Sequence, residues 1–211
     1  MTNDDPRKYA PATQRNREPI LEVLLNVLPP QGTILEVASG TGEHAVFFAP
    51  RLRPRKWLPS EPNPQLRASI AAWSANLPSE NLYPPIDIDV CAPVWSVESY
   101  TDDLNNSPIT AIVNINMIHI APWSACLGLM AGANRILPPE GILYMYGPFK
   151  IDRKHTAPSN AAFDESLRSQ NPEWGVRDFN DVVDAARTQN LTLVQTYQMP
   201  ANNLSVIFQR T

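Results

Sequence analysis

Thr33 to Val37 is a β-branched, apolar run that breaks into Ser39-Gly40-Thr41-Gly42, and a helical stretch follows at once from His44 to Ala49. A run of this kind reads as a strand buried in a parallel sheet. Glycines between such a strand and a helix expose backbone N–H groups at the helix N-terminus, where they hold an anionic or polar group of a nucleotide-like ligand. A tight turn with no ligand uses the same residue types. Glu36 separates the two readings, because a carboxylate inside a buried strand is costly without a partner.

The rest of the chain repeats the alternation. An apolar stripe from Pro19 to Leu28 predicts a helix ended by Pro29-Pro30. Strands are expected at Trp57–Glu61, Pro85–Val90, Ile109–Ile115 and Gly141–Tyr146, with helices at Pro64–Ala75, Trp95–Tyr100 and Trp123–Leu137. Phe163–Ser169 predicts an extra helix in a long insertion, Asp178 a cap for a helix to Gln189, and Leu191–Tyr197 with Leu204–Phe208 two closing strands. Such alternation specifies an α/β fold, a mostly parallel sheet with helices on both faces.

Composition excludes several classes. The 211 residues fit one domain, and 43% apolar content supplies a real core. A net charge of −4 offers no basic footprint, so a nucleic-acid partner is not expected. No run of eighteen apolar residues exists, so no membrane span is expected. The N-terminal M-T-N-D-D-P-R-K lacks the apolar core of a signal peptide, and Cys91 and Cys126 have no ligand-like spacing. Reduced structural thiols, a cytoplasmic location and no metal site are the corresponding expectations.

In a doubly wound sheet, ligands bind at the carboxyl ends of the strands. Candidate site residues are therefore Ser39, Gly40 and Gly42 after the first strand, Glu61 after the second and Asp89 after the third. Asn116 and His119 follow the fourth, and Tyr146–Phe149 the fifth. Glu61 lies nineteen residues past Gly42, the spacing at which a carboxylate reaches paired ribose hydroxyls. Asp89 suits an exocyclic adenine amine or a simple turn. His44 belongs to the first helical turn after the glycines. Asp164 and Arg168 read as a solvated i,i+4 pair, and Asn202-Asn203 as turn residues.

Two cofactor classes fit. From Gly40 the chain reads G-T-G-E-H-A, a formal match to the dinucleotide fingerprint. From Glu36 it reads E-V-A-S-G-T-G, which resembles motif I of class I S-adenosylmethionine-dependent methyltransferases. Ala38 there replaces a glycine, a change tolerated if its φ is negative. The acid at position 36 belongs only to the methyltransferase pattern. The wider strings K8-Y-A-P-A-T-Q-R-N-R-E-P19, N114-I-N-M-I-H-I-A-P-W123, Y146-G-P-F-K150, S159-N-A-A-F-D-E-S-L-R168 and M199-P-A-N-N-L-S205 resemble the methyltransferase-like protein 26 family of small methyltransferase-like proteins.

The resemblance implies a Rossmann-like, seven-stranded, mostly parallel sheet with a terminal antiparallel strand pair, in one domain over 1–211. It implies S-adenosylmethionine as cofactor, held by Glu36, Ala38, Ser39, Gly40, Gly42, His44, Glu61, Asp89 and Asn116. The expected activity is methyl transfer to a small molecule, with His119, Asn116 and Tyr9 as catalytic candidates and His119 as a base for a protonated acceptor. An N-terminal segment over 1–18 and an insertion over 150–175 are expected to cover the site as a lid. The alternatives are an NAD(P)-dependent oxidoreductase and a non-catalytic S-adenosylmethionine-binding protein. Oligomeric state is not legible.

Overall fold

Pro11 opens the first helix, α1 (Pro11–Val27), at the position where a missing N–H costs nothing and a fixed φ is already helical. The helix therefore begins eight residues before its apolar stripe, with Pro19 inside it. Its first half buries Thr13 and Asn16, polar groups that no hydrophobic period reports. It stops at Leu28, which the following proline holds extended.

The computed structural model describes residues 5–99 and 107–211. They fall into two units, Met1–Asp89 with Val94–Val113, and Val90–Pro93 with Asn114–Thr211. In the first, β1 (Thr33–Val37) is buried at every position and pairs in parallel with β2 (Lys56–Ser60), Thr33 opposite Lys56 and Val37 opposite Ser60. Between them lies α2 (Glu43–Phe48), only six residues long. After β2 comes α3 (Pro64–Asn76), whose N-cap Asn63 accepts from the N–H groups of Gln65 and Leu66.

The strand expected at Pro85–Val90 is reduced to two single bridges, Leu82 to Trp57 and Ile86 to Ser60. Pro84 and Pro85 have no N–H to give, so a ladder cannot run through them. The helix expected from Trp95 is one short turn, Ser96–Ser99, and Tyr100 lies outside the described residues. Strand β3 (Ile109–Ile115) follows β1 in the sheet order and passes into the second unit at Asn114.

The second unit continues with α4 (Trp123–Ile136) and β4 (Ile142–Ile151), ten residues where six were expected. Its far end pairs not with the sheet's next strand but with two short ones, β5 (Lys154–His155) and β6 (Arg177–Asp178). Between these runs α5 (Pro158–Gln170). Asp178 caps α6 (Phe179–Arg187) as expected, accepting from Asn180 N–H at 3.0 Å. Strands β7 (Leu191–Met199) and β8 (Asn203–Arg210) close as an antiparallel pair, with β8 antiparallel to β4. The class is mixed α/β, a mostly parallel sheet flanked by helices with a C-terminal antiparallel strand pair.

Candidate functional site

The site is built where β1 ends. Ala38 has φ +56°, contrary to the negative value at which alanine replaces glycine without strain, and costs about 1 kcal/mol there. Ser39 holds it in place. Its N–H donates to Ser60 O at 2.9 Å, and its hydroxyl donates to Glu36 O and accepts from Ser60 N–H. Ser39 is thus scaffold, its polar atoms spent on the turn.

The two glycines do different work. A Cβ at Gly42, φ +94°, would stand 2.8 Å from Ile70 Cα, so this glycine permits α2 to pack on α3. A Cβ at Gly40, φ +58°, would meet no atom within 4 Å. That space lies beside the turn's backbone. With α2 so short, recognition here rests on the turn and its neighbour Glu61 more than on a helix dipole.

Glu36 has the partner its burial demands, since Trp57 Nε1 donates to its carboxylate at 3.0 Å. Burial still raises its pKa to about 7 against that hydrogen bond. It braces strand to strand and is too buried to touch a ligand. Glu61 is different in kind. One carboxylate oxygen accepts from Gly40 N–H at 3.0 Å, the other from Asn63 N–H at 3.1 Å. Burial raises its pKa, with those two N–H groups opposing. An exposed strand-end acid was expected; Glu61 is only 6% exposed, because α3 starts directly above it.

The segment before α1 is fastened to the same turn. Lys8 N–H donates to Ser69 Oγ, which donates to Thr41 O, each at 2.8 Å. Ala10 N–H and the Thr41 hydroxyl both donate to one oxygen of Glu43. Trp73 Nε1 donates to Lys8 O at 3.0 Å, and Tyr9 lies edge-on against the same indole, 61% exposed. His44 is stacked on Phe48 and bonded to Asn16 Oδ1 at 2.9 Å, with a pKa depressed by burial to about 3. It is a tie between α2 and α1. Asp89 is exposed beyond the single bridge at Ile86.

In the second unit, Asn116 turns the chain out of β3 in a left-handed conformation, φ +63°, its N–H donating to Tyr146 O at 2.8 Å. The turn ends at His119, fully buried against Phe149 and close to Gly147, where a Cβ would strike the imidazole. Both ring nitrogens lack a hydrogen-bond partner among the described residues. Burial, reinforced by the Arg177 charge, pushes its pKa down to about 3. Its imidazole is therefore uncharged near neutrality and fully enclosed.

Asp164 is corrected too. It is buried, not a solvated face, and takes Lys150 at 2.7 Å, Arg168 at 3.2 Å and Val176 N–H at 2.7 Å. Sequence reasoning passed over Glu43, Ser69 and Trp73, although an acid in the first turn after the glycines was a visible signal. Arg177 offered none. Among the described residues no cluster of three metal-ligating side chains occurs, and no helix is long and apolar enough to cross a membrane.

Sheet and strand-end turn together define the Rossmann-like methyltransferase fold, and solved structures agree. The chain matches an O-methyltransferase family protein from Burkholderia thailandensis over 95% of its own length and 57% of that chain, at TM-score 0.76 and 13% identity. It matches the mitomycin 7-O-methyltransferase MmcR over 95% and 54%, at 0.76 and 9% identity. It matches CalO1, a methyltransferase in calicheamicin biosynthesis in its SAH-bound form, over 92% and 54%, at 0.69 and 11% identity. Likeness at such identity speaks for the fold alone, and the chain spans little more than half the length of these neighbours. By its sequence the chain belongs to the family described as "Protein of unknown function (DUF938)", whose model matches residues 7–210.

Proposed function

We propose that this chain is an S-adenosylmethionine-dependent methyltransferase acting on a small molecule. One observation carries the reading: Gly40 N–H and the Glu61 carboxylate stand 3.0 Å apart beside space that a Gly40 side chain would enter unopposed. A carboxylate has about four lone-pair positions, and Glu61 uses two on backbone N–H groups. The remaining two suit vicinal ribose hydroxyls, and Gly40 lets such a ligand lie against the backbone. Asp89, exposed past the bridge at Ile86, is the residue assigned to an adenine amine. Glu36, Ser39 and His44 hold the turn in shape without facing the ligand. The same O-methyltransferase fold in neighbours that carry SAH, and the strings resembling methyltransferase-like protein 26, support the assignment.

When bound, the cofactor supplies a methyl group already activated by its sulfonium. The residues then need chiefly to position an acceptor and exclude water. Calorimetry with S-adenosylmethionine, S-adenosylhomocysteine and NADH tests the cofactor. Both sulfur nucleosides should bind and, at hundredfold excess over Kd, raise stability by about 2.7 kcal/mol. Binding of NADH, and of neither nucleoside, refutes the proposal in favour of an oxidoreductase.

A further inference from the structure

The second unit contains a cavity of about 440 Å³ between β4, β6 and the start of α6, unused by the cofactor reading. Its walls carry Lys150, Arg153, Arg168 and Arg177, four of the chain's 17 basic residues, in a protein of net charge −4. The acids nearby do not cancel them. Arg153 is neutralised by a two-pronged pair with Asp181 at 2.7 and 2.8 Å. Asp178 accepts from two backbone N–H groups, those of Asn180 and Arg153, and keeps its charge, so that with Asp164 it falls one charge short of Lys150, Arg168 and Arg177. Lys150 and Arg168 must share Asp164, which also accepts from Val176 N–H.

Arg177 has backbone carbonyls alone. Its Nε donates to Ile118 O at 2.8 Å and one terminal nitrogen to Ala121 O and Glu173 O at 2.6 and 2.8 Å. These bonds fix the guanidinium in direction without neutralising it, and leave its other terminal nitrogen unused by them. Trp123 forms an aromatic wall, its ring 5.8 Å from the guanidinium carbon. The glycine at 175 is needed here, because a Cβ would stand 2.6 Å from the Asp164 carboxylate and 3.0 Å from Arg168 Nη2. On the turn that Arg177 grips, His119 O accepts from Gly175 N–H at 2.9 Å, which fixes Gly175 beside Asp164 and Arg168.

We infer that this cavity binds an anionic small molecule, one whose carboxylate or phosphate is taken by Arg177, Arg168 and Lys150 beside the Trp123 ring. A cavity of this size admits a metabolite. Arg177 offers its remaining terminal nitrogen in a direction that its carbonyl bonds fix, which removes the ordering cost of such a contact, and Arg168 and Lys150 supply the further donors.

The test is anion binding by the full chain, without cofactor and at low ionic strength, followed by amide chemical shifts during titration with inorganic phosphate and, separately, succinate. Saturable binding of either, with shifts concentrated at residues 150–153 and 175–178, is expected. Phosphate alone identifies a phosphate ester, succinate alone a carboxylic acid, and either supports the site. Arg168→Gln, at an exposed position whose loss leaves the fold intact, should weaken binding about tenfold. Asp181→Asn should tighten it, since it releases Arg153 and removes a negative charge. Absence of saturable binding in the parent, or equal affinity in all three proteins, overturns the inference. Because no cofactor is present, failure of the methyltransferase reading leaves this result untouched.

Discussion

Replacing Glu36 by Gln tests whether the charge at the heart of β1 is a burden on the fold. The carboxyl is held near pKa 7 in the folded chain against 4.5 when unfolded, and burial is the main cause. Below pH 4.5 both states are protonated and the residue is neutral in its effect. Between pH 4.5 and 7 the unfolded chain ionises first, so stability falls as pH rises; above 7 the loss is complete. The difference amounts to about 3 kcal/mol. Glutamine keeps an acceptor for Trp57 Nε1 at nearly the same place and never ionises.

Urea unfolding of parent and Glu36→Gln at pH 5, 6.5 and 8 isolates the effect, because other groups cancel in the difference. His44 and His119, both depressed to about 3, act in the opposite sense, withdrawing stability as pH falls from 6.5. The Glu61 charge adds to the rise at Glu36, so part of the effect comes from that neighbour. The variant should exceed the parent by under about 1 kcal/mol at pH 5 and by about 3 kcal/mol at pH 8. An advantage under roughly 1 kcal/mol at pH 8, or one equal at every pH, refutes the reasoning.

Glu61→Gln leaves too few acceptors for two backbone N–H groups and two ribose hydroxyls; calorimetry with S-adenosylhomocysteine should show affinity weakened about a hundredfold, and thermal melting a loss of about 1–3 kcal/mol. Gly42→Ala drives a methyl into Ile70 at positive φ and should lower the melting temperature strongly, whereas Gly40→Ala, unopposed by any neighbour, should cost about 1 kcal/mol and show its effect in cofactor affinity instead. Equal melting temperatures for the pair would contradict the division of labour between the glycines. Deleting residues through Asn16 removes the first turns of α1 and the partner of His44, so denaturation should reveal a loss of about 2 kcal/mol or more, not the silent trimming of a tail.

What the sequence disclosed followed from period and from chemistry that acts locally. The strand at Thr33–Val37, the glycine turn, the cap at Asp178 and the closing pair of strands all announce themselves within a few residues. Glu36 could be read as needing a partner, but not that Trp57 on the next strand supplies it. Where prediction slipped, the deciding contact came from far along the chain. Thr13 and Asn16 are buried because α2 needs Asn16 for His44, and Asp164 is buried because β4 and β6 bring Lys150 and Val176 to it. The sign of φ at Ala38 depends on Ser39 reaching Ser60, which spacing along one strand cannot report. Pro84-Pro85, by contrast, stands in plain view in the sequence and accounts for β-bridges in place of a strand.

Strand β7 ends the sheet order, and most of its side chains are exposed, Val194 among them at 49%. Such a border is an invitation for another chain to add itself by backbone hydrogen bonding. The break in register between Leu193 and Gln195 answers that invitation. One extra residue there twists the strand and interrupts its even spacing of donors and acceptors, so an incoming strand that matches one half falls out of step with the other. Threonine and glutamine at 192, 195, 196 and 198 give it no greasy strip to follow. Removing residue 194 would straighten this margin, and concentrated solutions of the shortened protein should then associate edge to edge, visible as growth in light scattering.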